Sequence, residues 1–269
     1  MSSGFSIPRR IIAATTLERS ANLTKHFFIA GAQRSGTTYL YQVLDAHPEI
    51  EMNKPVRPEP KYFLKPNSQL YVDQYIQTYF HEQGAKMRGE KSASYMEAPG
   101  TAQRIAHCFP DAKILFILRD PVERAISHYR YSVSNKLENK PMSEALLDEQ
   151  AQDRPYDRSA LSVSPFAYLR RGRYVEYIDA YAQHFPREQI RILVFEDFIG
   201  SVAQIQDLYG FLGVSTNFVP DCINEPANES EPDGQEPTAE IYQFLRAYFR
   251  GSNNRLANRY GVSVAAWQR

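Results

Sequence analysis

Residues 26–41 read HFFIAGAQRSGTTYLY. The first part, His26 to Gly31, is a short apolar run that predicts a buried strand. A glycine-containing turn follows, and a helix is predicted from about Thr37 to Ala46, where His47-Pro48 ends it. Backbone N–H groups in such a turn, together with the positive end of the helix, form a cradle for an anion. The stretch therefore predicts an α/β fold with an anion site at its first strand–helix junction.

Strand and helix signals alternate along the rest of the chain. Lys113 to Leu118 is the clearest buried strand, and Asp120-Pro121 after it supplies a helix N-cap and a proline at the first helical position. The alternation predicts one α/β domain over residues 25–269, with a P-loop-like, mostly parallel sheet flanked by helices, after a flexible tail of residues 1–24. Further strands are predicted at residues 86–90 and 190–195, and further helices at 68–80, 99–109, 143–150, 168–185, 196–212 and 238–260.

Composition and charge exclude several classes of protein. The chain is 43% hydrophobic and 23% charged, which is typical of a globular domain with its own core. Its net charge of +0 gives no global attraction for nucleic acid. Residues 1–130 carry 17 Lys and Arg against 12 Asp and Glu, so an anionic ligand is expected in this half. No apolar run approaches the ~20 residues of a membrane span. We therefore expect a cytoplasmic protein with neither a nucleic-acid partner nor a membrane span.

The predicted phosphate loop departs from the loop of nucleoside triphosphate enzymes. Those enzymes have a lysine directly after the second glycine, where it reaches the β- and γ-phosphates. Thr37 stands at that position here, and the cation of the loop, Arg34, lies three residues earlier. The loop therefore favours a phosphate-like group and disfavours ATP or GTP. The residues expected to hold the anion are Arg34, Ser35, Gly36, Thr37 and Thr38. The histidines and cysteines show no metal-ligand spacing, so no metal is expected.

A second candidate anion site follows the strand at residues 113–118. Arg119 lies at the carboxyl end of this strand, where open parallel sheets bind their ligands. Ser127, two turns into the next helix, can add a hydroxyl to an anion held by Arg119. Two anion sites at the ends of two strands predict one ligand with two separated phosphates.

With GEKSASY at residues 89–95, these two motifs resemble the sulfotransferases that use PAPS, 3′-phosphoadenosine 5′-phosphosulfate. The branch with heparan sulfate sulfotransferase domains is the most similar, and the resemblance covers about residues 26–260. It implies a single α/β sulfotransferase domain that uses PAPS as sulfuryl donor. The first loop would hold the 5′-phosphosulfate, while Arg119 and Ser127 would hold the 3′-phosphate. Arg34 replaces the lysine of the family loop, so its expected role is electrostatic.

The resemblance also implies a general base. The saccharide branch of the family has a glutamate shortly before an aromatic pair, which Glu59 matches in the sequence EPKYF. Glu59 would remove the proton of the acceptor hydroxyl. Lys91 matches a lysine on the acceptor side and would stabilise the transferred charge. Small-molecule sulfotransferases use a histidine base instead, and His107 is the nearest rival in this sequence.

Residues 220–240 differ from the family pattern. Relatives have a basic, glycine-containing segment late in the chain that closes over the cofactor, whereas this segment is acidic and has no Lys or Arg. Arg170, Arg171 and Arg173 are candidates to replace it. The acceptor is expected to be a small molecule or a saccharide. Two alternatives remain open at this point, a nucleotide-dependent kinase and a non-catalytic phosphate-binding module.

Overall fold

Five parallel strands form the central sheet in the part of the chain that the structure describes. The structure is a computed structural model, and it describes residues 25–82, 84–148, 150–225 and 236–268. The predicted tail, residues 1–24, and residues 226–235 of the acidic segment lie outside the described residues. The strands are β1 Lys25–Gly31, β2 Ile50–Met52, β3 Met87–Lys91, β4 Lys113–Leu118 and β5 Ile190–Val194.

The strand order β2-β3-β1-β4-β5 places the first strand at the centre. Every neighbouring pair is parallel, so all five carboxyl ends lie along one edge of the sheet. The chain leaves β1 towards β2 on one side and later returns to β4 on the other. The crevice where strand connections diverge in this way is where open α/β sheets bind ligands. The predicted α/β fold with a parallel sheet is confirmed.

Helices cover both faces of this sheet. Within the described residues they are α1 Thr37–Asp45, α2 Val72–Tyr79, α3 Thr101–Cys108, α4 Pro121–Ser134, α5 Met142–Leu146, α6 Tyr174–Ala182, α7 Phe195–Phe198, α8 Val202–Leu212 and α9 Ala239–Tyr260. The Asp120 side chain caps α4 by accepting a hydrogen bond from the Val122 N–H at 2.9 Å, and Pro121 occupies the first helical position, as predicted. The position of α4 is therefore fixed relative to the end of β4.

Alternate residues of the strands pack into two apolar clusters. In β4, Phe116 belongs to the cluster beneath α3 and α6, and its neighbours Leu115 and Ile117 belong to the cluster beneath α1 and α8. Successive side chains of a strand point to opposite faces, so a sheet covered on both sides needs apolar residues throughout. This explains why β1 and β4 were visible in the sequence as continuous apolar runs.

Several elements differ from the sequence prediction. The helix predicted over residues 168–185 is confined to Tyr174–Ala182, after a 3₁₀ turn at Arg170–Gly172. The short strand β2 was not predicted, because its central residue is Glu51; this carboxylate is buried and accepts hydrogen bonds from Arg88 Nε at 2.9 Å and from the Glu82 N–H at 2.6 Å. The prediction of one helix over residues 196–212 is wrong. The chain forms α7 and α8 instead, separated at Gly200, whose φ of 74 lies in the left-handed region that ends a helix.

Candidate functional site

The predicted site residues lie at the carboxyl ends of four adjacent strands. Glu59 follows β2, Lys91 ends β3, Arg34 follows β1 and Arg119 follows β4. Because the sheet order is β2-β3-β1-β4, these residues occur in that order along one edge. The structure therefore divides the edge into a carboxylate–lysine pair on one side and an anion cradle on the other.

The turn between β1 and α1 has the backbone of a phosphate loop. Gly36 caps α1 with a φ of 87, and a Cβ at this position would lie 2.7 Å from the Phe195 ring. Arg34 also adopts a left-handed conformation, with a φ of 65, which is uncommon for a residue with a side chain. Of these two residues, only Gly36 must be a glycine. The first N–H groups of α1, starting at Thr37, lack partners within the helix and point towards the crevice.

Arg34 contacts the second anion motif directly. Its Nε donates to Ser127 Oγ at 3.1 Å, and its guanidinium lies 5.1 Å from the centre of the Tyr131 ring. Burial lowers the pKa of Arg34 from its ordinary value, and the nearby positive charges of Arg119 and Arg57 lower it further. Positive charges this close together repel one another. Binding of an anion between them is therefore favoured, because the anion attracts each of them.

Arg119 lies partly exposed at the rim of the cradle. Its guanidinium lies 5.2 Å from the centre of the Phe195 ring and forms a long ion pair with Glu123 at 4.0 Å, and 29% of its side chain is exposed. Its backbone carbonyl accepts a hydrogen bond from the Tyr174 hydroxyl at 2.8 Å, which fixes the main chain at the end of β4. The two sequence motifs thus converge on one region, as their spacing predicted.

The remaining loop residues differ in accessibility. Ser35 is fully buried, Thr37 is 8% exposed and Thr38 is half-buried. Burial raises the pKa of Tyr174 to about 12, and the positive charge of Arg124 opposes this shift. Of these three side chains, Thr38 is the most open to a ligand.

Glu59 and Lys91 form an ion pair on the other side of the crevice. Lys91 Nζ donates to Glu59 Oε1 at 2.9 Å, and the Ala93 N–H donates to Glu59 Oε2 at 3.1 Å. The side chain of Lys91 is 4% exposed and that of Glu59 is 18% exposed, so the carboxylate is the more accessible of the pair. Its position at the mouth of the crevice suits a group that removes a proton from a ligand.

Glu90 was not predicted as a residue of the site, and Arg171 was considered only for closing over the cofactor. Glu90 is fully buried behind Glu59, and burial raises its pKa to about 7. Arg171 is 3% exposed and donates to Glu97 Oε2 at 2.5 Å and to Gln33 Oε1 in the phosphate loop at 2.7 Å. The sequence did contain a signal for Glu90. A strand that is covered on both faces has no side that faces solvent, so a carboxylate in it is expected to be buried. Nothing in the sequence pairs Arg171 with Glu97.

Three arginines were considered as replacements for the basic segment that closes over the cofactor in relatives, and all three are held in ion pairs. Arg170 pairs with Asp153 and Arg173 pairs with Glu176, both on the surface, and Arg171 is buried. Arg171 therefore supports the phosphate loop from beneath, which does not fit the closing role considered for it.

The histidine alternative lies far from the site. His107 is exposed near the C-terminal end of α3, the helix that connects β3 to β4. A crossover helix runs opposite to its strands, so this end lies at the amino edge of the sheet. His128 is the histidine near the cradle; burial lowers its pKa well below the usual range, and the charge of Arg171 adds to this effect, so it stays neutral.

Metal and membrane features were also searched for among the described residues. They contain no group of three or more His, Cys, Asp or Glu side chains that could hold a metal ion. None of the helices built from these residues has both the length and the apolarity to cross a membrane.

Comparison with known proteins identifies one family. The sequence profile described as "Sulfotransferase domain" matches residues 24–232. The crystal structure of a sulfotransferase from Alicyclobacillus acidocaldarius superposes with a TM-score of 0.76 at 31% identity, covering 92% of this chain and 100% of that chain. These matches confirm the resemblance drawn from the three motifs.

Two curated relatives are larger than this chain. The membrane-associated sulfotransferase kil1 of Dictyostelium discoideum is 25% identical over 87% of this chain and 64% of its own length. The human bifunctional heparan sulfate N-deacetylase/N-sulfotransferase 3 is 28% identical over 75% of this chain and 24% of its own length. The chain thus spans less than two thirds of either relative.

Proposed function

Because this chain belongs to the sulfotransferase domain family, we propose that it transfers a sulfuryl group from PAPS to an acceptor hydroxyl. The observation that supports this most is the contact between Arg34 of the first motif and Ser127 of the second. It joins two anion-binding motifs in one crevice, as a ligand with two separated phosphates requires. We assign residues 25–269 to this one domain. A location in the cytoplasm stays a prediction.

The residues of the cradle fit PAPS by charge and by shape. Arg34, Arg119 and Arg57 are close enough for the last two to lower the pKa of the first, so the crevice attracts anions. A Cβ at Gly36 would clash with Phe195, so the loop keeps its main chain open for close approach of a phosphate. Thr37 replaces the lysine that ATP and GTP sites use, which favours PAPS over the kinase alternative.

The proposed roles of the residues follow from their positions. When bound, PAPS supplies the sulfuryl group, whose bond to the bridging phosphate oxygen breaks as the acceptor oxygen bonds to sulfur, leaving adenosine 3′,5′-bisphosphate. Arg34, with Ser35, Gly36, Thr37 and Thr38, holds the 5′ end and stabilises the charge that develops on the bridging oxygen. Arg119 and Ser127 hold the 3′-phosphate.

Glu59 acts as the general base in this proposal. Its carboxylate takes the proton of the acceptor hydroxyl during attack, and Lys91, at 2.9 Å, orients it and stabilises negative charge on the transferred group. Both residues lie beside the cradle on the β2 and β3 side of the edge. A saccharide is the proposed acceptor class. The heparan sulfate relative supports it, as does the exposed aromatic side chain of Tyr71 near the loop that carries Glu59.

Calorimetry and a transfer assay test the proposal. Adenosine 3′,5′-bisphosphate should bind without added metal and ATP should bind far more weakly. Transfer from isotopically labelled PAPS to a panel of saccharides and small alcohols is then followed by mass spectrometry, with wild type and Glu59→Gln compared at equal nucleotide saturation. Loss of transfer with retained nucleotide binding is expected for Glu59→Gln. Tight ATP binding, or absence of bisphosphate binding, contradicts the proposed function.

A further inference from the structure

The carboxyl end of β3 fastens the loop that carries Glu59. Beyond its contacts with Glu59, this segment binds two backbone groups of the loop. Ser92 Oγ accepts from the Lys61 N–H at 2.9 Å, and the Tyr95 hydroxyl accepts from the Phe63 N–H at 2.9 Å. We call residues 90–95, together with these contacts, the β3 clamp. It holds the loop at three alternate residues, the first of which is the proposed base.

The Lys61 contact stabilises a backbone conformation that is unfavourable in itself. Lys61 has a φ of 50, in the left-handed region. A residue with a side chain held there costs about 1–3 kcal/mol and persists only where its surroundings enforce it. The hydrogen bond from the Lys61 N–H to Ser92 is the described contact of that backbone amide, so the loop's shape depends on it.

The hydrogen bonds of Ser92 have a fixed direction. An amide N–H can only donate, so Ser92 Oγ accepts from Lys61 and its own proton is directed elsewhere. That proton goes to Glu90 Oε1, at 2.6 Å. Glu90 is fully buried, so no solvent competes for this bond. The carboxyl group of Glu90 therefore decides how the Ser92 hydroxyl points.

The surroundings of Glu90 make its charge variable near neutral pH. Burial raises its pKa to about 7, while the hydroxyls of Ser92, Tyr95 and Tyr75 act in the opposite direction and the charge of Glu59 raises it further. The titratable groups that face it from the packed elements are Tyr75 and Tyr79 of α2, Tyr95, Tyr181 of α6 and Glu59. Ionised Glu90 is the stronger acceptor for Ser92.

We propose that Glu90 is a positioning residue of the transfer reaction, which orients Ser92 and thereby fixes the Lys61 amide and the Glu59 carboxylate at the acceptor side. The inference rests on the proposed role of Glu59 as base. Glu90 does not touch the acceptor, since it lies behind the ion pair of Glu59 and Lys91.

Hydrogen–deuterium exchange tests the clamp in the free protein. Ser92→Ala and Glu90→Met should each speed exchange of the Lys61 amide by about fivefold, the loss expected for one hydrogen bond. Glu90→Gln keeps an acceptor oxygen and should preserve the protection. Ser94→Ala is the matched control, because its buried hydroxyl has no hydrogen-bond partner among the described residues. Unchanged Lys61 exchange in Ser92→Ala, or an equal effect in Ser94→Ala, overturns the proposal.

Transfer kinetics then separate positioning from mere stability. Wild-type kcat should rise with pH through about 7. Glu90→Gln should lack this rise, and Glu90→Met should lose about tenfold in kcat with unchanged affinity for adenosine 3′,5′-bisphosphate. A wild-type pH profile in Glu90→Gln overturns the positioning role. Glu59→Gln separates the two proposals. If this variant keeps the wild-type kcat, the assigned base is wrong. If Glu59→Gln is slow and Glu90→Met is as fast as wild type, only the positioning role of Glu90 is rejected.

Discussion

Arg34 Nε lies 3.1 Å from Ser127 Oγ, although 93 residues separate them in the chain. The contact joins the turn after β1 to the second turn of α4, and Arg119 at the end of β4 lies close enough to influence the Arg34 guanidinium. The three side chains therefore converge beside the ends of two strands, where we propose that the anion binds.

Loss of either partner on the α4 side should weaken nucleotide binding. Arg119→Ala and Ser127→Ala each remove a donor to the 3′-phosphate, and a hydrogen bond to a charged group contributes about 1.5–3 kcal/mol. Affinity for adenosine 3′,5′-bisphosphate, measured by calorimetry, should fall by about 10- to 100-fold. Arg191→Ala is the control, since this arginine pairs with Asp207 at the edge strand. A loss in Arg191→Ala as large as that in Arg119→Ala would point to a general effect of charge, and wild-type affinity in Ser127→Ala would contradict its assigned contact.

The phosphate loop should not tolerate a side chain at Gly36. Gly36→Ala places a Cβ 2.7 Å from the Phe195 ring at a φ of 87, so either the loop or the ring must move. We expect a destabilisation of about 1–3 kcal/mol and a loss of nucleotide affinity, measured by urea unfolding and calorimetry.

Gly251→Ala serves as the control for this prediction. Gly251 lies within α9, and apart from its chain neighbours and the backbone of its own helix, no described atom lies within 4 Å of its Cβ position. Alanine there should stabilise the protein by about 1 kcal/mol and leave binding unchanged. Nucleotide binding by Gly36→Ala at wild-type affinity would contradict the assigned role of the loop.

Glu90 should make stability depend on pH in a defined direction. Burial raises its folded-state pKa from 4.5 to about 7, so the unfolded chain releases this proton first as pH rises. The contribution of Glu90 is fully present below pH 4.5 and is lost as pH rises through about 7. Glu90→Gln does not titrate. Its unfolding free energy relative to wild type should therefore increase by about 3 kcal/mol between pH 4 and pH 8.

Urea unfolding at several pH values measures this difference. Glu188→Gln, an exposed position before β5, provides the comparison and should show no such trend. A difference between Glu90→Gln and wild type that stays constant with pH would mean that Glu90 does not titrate in this range.

Arg171 should matter more to stability than its neighbour Arg170. Arg171 is buried with Glu97, Gln33 and the Ser164 carbonyl as partners, so Arg171→Met leaves a buried carboxylate unpaired and should cost about 3–5 kcal/mol. Arg170→Met breaks an ion pair that is exposed on the surface and should leave the unfolding free energy unchanged. Equal midpoints of the two variants in urea would contradict this interpretation.

The sequence predicted the fold best where one local rule determined the structure. The apolar run of β4, the Asp120 cap and Pro121 agree with the structure to the residue, because strand burial and helix capping depend on neighbours in the chain. It failed for β2, whose Glu51 is acceptable in a buried strand only because Arg88 and two backbone amides from distant residues satisfy it.

The site, like the fold, was predicted best where a local motif determined it. Arg34, Arg119 and Ser127 were predicted from motifs, and the structure brings them together. The pairing of Glu59 with Lys91 became visible only in the fold, since the two lie 32 positions apart and meet across β2 and β3. Glu90 was missed, and Arg171 was given the wrong role, because the importance of a buried charge depends on partners that no local pattern specifies.

Residues 55–58 lie between two firm attachments. Asn53 is fully buried and accepts from the Lys91 N–H at 3.0 Å, while Glu59 is held by the β3 clamp, and three of residues 55–58 face solvent. Arg57 lies near Arg34 and belongs to the proposed cradle, so the other three positions are the ones to vary: we expect replacements there to change which acceptors are admitted while the carboxylate keeps its place. Acceptor preference in the proposed reaction can thus be tested apart from the carboxylate proposed to carry its chemistry.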